Sequence, residues 1–139
     1  MLGKLAAESF ISQNPGWFSS VDIIIPVPLH KKRLRQRTYN QSELIAEGIS
    51  RVTHIPLDTS HLLRIIDNPT QTQRTPEERR LNTQGIFSLS NPNSLSGKHV
   101  LLVDDIVTTG ATLRSCCSVL TPVRNLHISI FTLGTAGKY

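Results

Sequence analysis

The chain has 139 residues with a formal net charge of +5, and 38% of it is hydrophobic. That length suits one domain able to bury about two-thirds of the surface its unfolded chain exposes, so no metal or disulfide staple is required. No apolar run reaches bilayer length and the N-terminus "MLGKLAAESF" has no secretory h-region, so neither membrane insertion nor export is expected and the cytoplasm is the expected location.

Residues 3–13 suit a short amphipathic helix, which "NPG" at 14–16 ends. In "VDIIIPVP", Ile23, Ile24 and Ile25 form a continuous β-branched run, the mark of a parallel strand buried on both faces, and Pro26 and Pro28 stop it. "HKKRLRQR", residues 30–37, then gathers five of the fifteen Lys and Arg without an acid, as suits nucleic acid, a membrane surface or a phosphorylated small molecule. A helix is expected from Gln41 to Arg51. Asn40 is its N-cap, Glu43 stands at the capping-box position, and Leu44, Ile45, Ile49 and Val52 form its apolar face.

"HLLRII", 61–66, and "GIFSL" suit short strands, separated by a polar excursion at 67–84 with two prolines and no apolar period. After the turn-rich "SNPNSLSGK" comes a strand at Val100–Val103, then a helix from Ala111 to before Pro122, then a strand at 127–133. Leu113, Cys116, Cys117 and Leu120 recur at helical spacing, so the adjacent cysteines read as reduced core thiols. The five histidines show no metal-ligand spacing. Strand, loop and helix in repetition indicate an α/β fold with a mainly parallel sheet.

The chemistry concentrates in "HVLLVDDIVTTGAT", His99 to Thr112. Ligands of open α/β sheets bind beyond the carboxyl ends of strands, where Asp104 and Asp105 are expected. Adjacent carboxylates repel, so a site that keeps both ionised needs hydroxyl donors or a cation. Vicinal ribose hydroxyls or Mg²⁺ would serve. In Thr108, Thr109, Gly110, Ala111 and Thr112, small residues let backbone N–H groups converge on a phosphate at a helix N-terminus. Acids for sugar hydroxyls beside a phosphate cradle describe a sugar 5-phosphate. Neither a P-loop nor a G-x-G-x-x-G fingerprint occurs.

"VLLVDDIVTTGAT" resembles the PRPP-binding motif of type I phosphoribosyltransferases. "IIIPVPLHKKRLRQRTYNQSELIAEGI" and "TQTQRTPEERRLNTQGIF" resemble two further blocks of the ComF family, competence-associated phosphoribosyltransferase-like proteins, so the resemblance covers nearly the whole chain. It implies a type I phosphoribosyltransferase fold: a mainly parallel sheet flanked by helices, a small hood, and one domain over 1–139 with hood and mobile loop at about 55–90. It further implies that Asp104 and Asp105 contact ribose hydroxyls, with Mg²⁺ as cofactor, and that Thr108–Thr112 hold the 5-phosphate. Val27, Pro28, Leu29 and His30 would form the pyrophosphate loop, with Lys31, Lys32, Arg33 and Arg37 near the leaving group. Arg74, Arg79 and Arg80 would belong to the mobile loop.

Departures from these patterns narrow the reading. Thr108 stands where purine-salvage enzymes often carry an aspartate that serves the base, which disfavours hypoxanthine-guanine salvage, and Thr38 replaces a usual ComF glycine. The cysteine-rich zinc module of many ComF proteins is missing from this sequence, through truncation or through its lineage, and glutamine-dependent ammonia release is not expected. Two functions follow. One is phosphoribosyl transfer from PRPP to an unidentified nitrogen acceptor. The other is a non-catalytic PRPP- or nucleotide-binding module that works in DNA uptake through single-stranded DNA or helicase-type partners. A homodimer is a further expectation.

Overall fold

A computed structural model describes residues 2–14, 16–29, 39–65 and 86–136. Helix α1 (Leu2–Gln13) and a short 3₁₀ turn (Trp17–Ser20) lead into strand β1 (Ile23–Pro26), and helix α2 (Gln41–Thr53) follows. Strands β2 (Leu62–Arg64) and β3 (Phe87–Leu89) precede a second 3₁₀ turn (Pro92–Leu95). Strand β4 (His99–Val107), helix α3 (Ala111–Leu120) and strand β5 (His127–Thr135) complete the order.

The main sheet is parallel in the order β1-β4-β5, with Ile23 opposite Val100 and His99 opposite His127. After α2 the chain returns on the far side of β1, where Leu57 makes a parallel bridge to Ile24. Both faces of the sheet are covered, which is why the strands read as unbroken apolar runs. On one face Ile45, Ala46 and Ile49 of α2 pack with Ile24, Leu101, Val103 and Phe131. On the other, Leu113, Cys116 and Leu120 of α3 pack with Ile25, Val100 and Leu102. The fold is the expected α/β arrangement.

The cysteines sit as their spacing predicts. Cys116 is buried, Cys117 packs against the same core, and burial pushes both thiols above their ordinary range. Three details differ from expectation. Leu44 is 46% exposed, because the buried stripe of α2 runs through Ser42, Ile45, Ala46 and Ile49 and leaves Leu44 on its flank. The Asn40 side chain accepts from the Ser42 N–H rather than from that of Glu43, so the capping box is not closed. Strand β4 runs four residues past Val103, because β5 continues to pair with it as far as Val107 opposite Thr135.

Strands β2 and β3 form a separate antiparallel pair, with Leu62 opposite Leu89, and Leu62 and Phe87 are buried against the α3 face of the sheet. The Arg64 guanidinium lies 5.6 Å from the Phe87 ring centroid. A polar clamp fixes the root of β2. Asp58 Oδ2 lies 2.9 Å from His61 Nδ1, while His61 Nε2 is 2.6 Å from Ser94 Oγ. Burial pushes the Asp58 carboxyl up, but the His61 side chain and the backbone N–H groups of His61 and Ser60 outweigh it and hold the group below its ordinary value.

A carboxyl held low contributes stability that is present above its unfolded value and lost as pH falls through the folded one. Asp58→Asn is therefore expected to be less stable than wild type near neutral pH, with the difference shrinking below pH 3.8. Urea denaturation of both proteins across that window checks this; a constant difference would contradict the clamp.

Candidate functional site

The site is built where β1 stops. Pro26 pairs with Val103, and the Val27 N–H donates the last ladder bond to the Val103 carbonyl at 2.8 Å. Pro28 has no N–H to continue it. From Asp104 onward β4 pairs with β5 but has lost β1 on its other side. The chain leaving β1 turns to α2 on one face, and the chain leaving β4 turns to α3 on the other. That is a topological switch point, where open α/β sheets bind ligands.

Asp104 and Asp105 occupy this opened segment, inside β4 rather than beyond its end. Asp104 Oδ1 accepts from Ser42 Oγ at 3.1 Å and from the Asp105 N–H at 2.9 Å, and Asp105 Oδ1 accepts from the Ile106 N–H at 2.7 Å. Burial is the main influence on Asp104 and, with the adjacent Asp105, raises its carboxyl above the ordinary aspartate value against the pull of the Ser42 hydroxyl and the Asp105 N–H. The pair is thus a partly desolvated, strongly accepting group that favours hydroxyl donors or a cation.

The loop after β4 has the shape of an anion cradle. Gly110 takes φ +80°, a left-handed turn open to glycine, and an added Cβ there would lie 3.2 Å from Arg114 Nη1. Arg114 Nη1 donates to the Thr109 carbonyl at 3.1 Å, and the Ala111 N–H donates to Thr109 Oγ1 at 3.3 Å. The first-turn amides of α3 have no intrahelical acceptors and lie at the positive end of the helix. Asp104 and Thr108–Leu113 line a cavity of about 40 Å³ there.

A second cavity, of about 180 Å³, brings Val27, Pro28 and Leu29 together with Asp104, Asp105 and Thr112. Sequence motifs about 75 residues apart thus face one space by way of the parallel β1–β4 pairing. His30, Lys31, Lys32, Arg33 and Arg37, and Arg74, Arg79 and Arg80, lie outside the described residues.

Three contributors were not legible as site residues. Ser42 reaches Asp104 across 62 positions of sequence. Asn40, readable as a cap, also donates from Nδ2 to the Val27 carbonyl at 3.1 Å and so ties the start of α2 to the loop after β1. Arg64 lines the 180 Å³ cavity from β2. The block "IIIPVPLHKKRLRQRTYNQSELIAEGI" contains the first two, but pattern alone did not show what they touch.

Comparison with known proteins settles the relationship. The phosphoribosyl transferase domain model matches residues 40–138. The chain belongs to the phosphoribosyl transferase family. Among curated proteins it is 34% identical over 116 residues to competence protein F of Haemophilus influenzae, covering 83% of this chain and 51% of that one. It is 37% identical over 112 residues to competence protein ComFC of Bacillus subtilis, covering 80% and 43%. To DNA utilization protein YhgH of Escherichia coli O157:H7 it is 36% identical over 99 residues, covering 71% and 43%. The ComF resemblance read from the motifs is borne out, and the chain spans about half the length of these relatives.

Among solved structures, the purine phosphoribosyltransferase of Pyrococcus horikoshii superposes with a TM-score of 0.54 at 17% identity, covering 96% of this chain and 70% of that one. The adenine phosphoribosyltransferase of Saccharomyces cerevisiae, complexed with an imino-altritol bisphosphate and adenine, gives 0.61 at 12% identity, covering 97% and 69%. At those identities they establish the type I phosphoribosyltransferase fold.

The acid pair of this phosphoribosyl transferase domain is also a fair test for Mg²⁺. Among the described residues no cluster of three or more His, Cys, Asp or Glu could enclose a metal. Mg²⁺ is commonly held by one or two carboxylates with the rest of its shell from substrate phosphates and water. Two oxygen-only side chains beside one cleft fit that mode and do not fit a resident structural metal.

Asn40 separates two contributions to the site. Asn40→Ser keeps an N-cap oxygen but cannot reach Val27, whereas Asn40→Ala loses both bonds. Asn40→Ala is expected to lose about 1 kcal/mol of stability from the cap alone, and Asn40→Ser clearly less. Chemical denaturation of the two variants checks this, and equal losses would show that the cap contributes little.

Proposed function

We propose that this domain binds PRPP together with Mg²⁺ and transfers the phosphoribosyl group to a nitrogen acceptor with release of pyrophosphate. The observation that carries the reading is the cleft shared by Asp104, Asp105, Thr112 and the Val27–Leu29 loop, with the Thr108–Leu113 loop lining a smaller cavity against Asp104. Its parts match the parts of PRPP in order: cradle for the 5-phosphate, acids for the ribose hydroxyls, the loop after β1 for the pyrophosphate.

In the reaction the acceptor nitrogen forms a bond to the anomeric carbon as the carbon–oxygen bond to pyrophosphate breaks, and the electron pair departs with the leaving group. The transition state has oxocarbenium character, so the protein's work is positioning and electrostatic stabilisation. The acids hold the ribose by its hydroxyls, Ser42 orients Asp104, and the positive end of α3 neutralises the 5-phosphate. Bound Mg²⁺, held by Asp104, Asp105 and the substrate's own oxygens, would supply charge neutralisation for pyrophosphate. Among the described residues no helix is long and apolar enough to cross a membrane.

A second reading rests on the relatives' names, competence protein and DNA utilization protein: the domain holds PRPP or a nucleotide without turnover and acts in DNA uptake. Pyrophosphate release from PRPP across bases, amines and ammonia separates the two. Release with one acceptor class supports the enzyme. No release with any, together with salt-sensitive single-stranded DNA binding, supports the second reading.

Calorimetric titration tests the donor site itself. PRPP is expected to bind with Mg²⁺ and not without it, and Asp104→Asn with Asp105→Asn to weaken binding at least about tenfold, on the order of 1.4 kcal/mol. Because burial raises the Asp104 carboxyl, wild-type affinity is expected to fall as pH drops through a value above 3.8, and less so in Asp104→Asn. Unchanged affinity in the double variant would remove the donor assignment.

A further inference from the structure

Arg114 stands just past the motif that ends at Thr112, in the first turn of α3. A cation there meets the positive end of the helix dipole, and no acidic side chain in that turn offsets it. Its backbone is ordinary helix, the Arg114 N–H donating to the Gly110 carbonyl at 2.9 Å. The side chain runs back over the preceding loop. Nη1 donates to the Thr109 carbonyl at 3.1 Å and lies 3.2 Å from where a Cβ on Gly110 would stand.

That bond fixes the peptide between Thr109 and Gly110. The unit is planar and trans, so its carbonyl and its N–H point in opposite directions. With the carbonyl aimed at Arg114, the Gly110 N–H faces away from it. Thr109 and Gly110 line the small cavity beside Asp104, and Arg114 is not among its walls. The guanidinium therefore holds the loop from behind and turns the N–H to the cavity side. Glycine accepts φ of either sign, so at Gly110 (φ +80°, ψ 2°) the same loop could carry this peptide inverted, with a carbonyl toward the cavity. A backbone N–H attracts an anion and a carbonyl repels it.

We infer that Arg114 is a positioning residue for the donor's 5-phosphate, holding the Thr109–Gly110 peptide in the orientation that favours an anion. The inference rests on the donor-site reading above and adds to it a residue outside the motif. A hydrogen bond from a guanidinium is charge-assisted, and so selects between two peptide orientations that glycine leaves open. Because Arg114 acts through the Thr109 carbonyl, its loss affects the 5-phosphate and spares pyrophosphate, which that reading seats on the loop after β1. Its loss also removes a cation from the positive end of α3, so stability holds or rises while binding falls. A merely structural role would lower both.

Calorimetric titration of the full chain with ribose 5-phosphate, PRPP and pyrophosphate, each with Mg²⁺, tests this alongside thermal unfolding. Arg114→Met keeps an unbranched stem and has no donor. It is expected to weaken ribose 5-phosphate and PRPP by about tenfold, to leave pyrophosphate unchanged and not to lower the unfolding temperature. The difference from wild type is expected to persist at about 1 M salt, where the Debye length is about 3 Å and bare charge attraction is screened. Unchanged ribose 5-phosphate affinity in Arg114→Met overturns the inference, as does an equal loss for pyrophosphate or a difference that vanishes at high salt. Failure of wild type to bind PRPP would instead overturn the donor-site reading on which it rests.

Discussion

The loss of β1 as a neighbour of β4 is the constraint on which the site depends. Two prolines flanking Val27 end the ladder at Val103, and everything distinctive about Asp104 and Asp105 follows. They remain within β4 because β5 holds the other side, with Asp104 opposite Thr132 and Ile106 opposite Gly134, so their positions are set by the sheet and not by a loop. At the same time no strand among the described residues pairs with β4 on that flank beyond Val103, and the two carboxylates there are only partly solvated. A site on a strand that is paired on one side only combines precise placement with access.

The helix that follows β1 completes this arrangement from the opposite direction. Asn40 uses both ends of its amide, capping α2 with the oxygen and holding the Val27 carbonyl with the nitrogen. Two residues on, Ser42 donates to Asp104. The start of one helix therefore fixes both the loop after β1 and one member of the acid pair. The start of the other helix lines the small cavity beside Asp104, and the Arg114 bond to the Thr109 carbonyl fixes its loop. Helix termini meet the crevice from both faces because α2 and α3 cover opposite sides of the sheet.

Much of this was legible in the sequence because its causes are local. The isoleucine run, the prolines, the Asn40 cap and the spacing of Leu113, Cys116 and Leu120 each predict their element from neighbouring residues alone, and the structure has them. The loop before α3 was legible for the same reason, from its run of small residues at a helix start. What was not legible depends on pairing between distant segments. The length of β4 is set by β5, so a reading that ended the strand at Val103 placed the acids beyond a strand that in fact contains them. Leu44 was assigned to the apolar face because helical spacing does not say where on the helix the sheet is centred. The contacts of Ser42 and Arg64 arise only when α2 and β2 are brought beside β4.

A structure of the chain with PRPP and Mg²⁺ tests the central claim most directly. The account predicts ribose hydroxyls within hydrogen-bond distance of Asp104 and Asp105, the 5-phosphate on the amides around Gly110 and Ala111, and pyrophosphate against Val27–Leu29. A ligand seated at the opposite end of the sheet, or one whose 5-phosphate lies away from the N-terminus of α3, would contradict it.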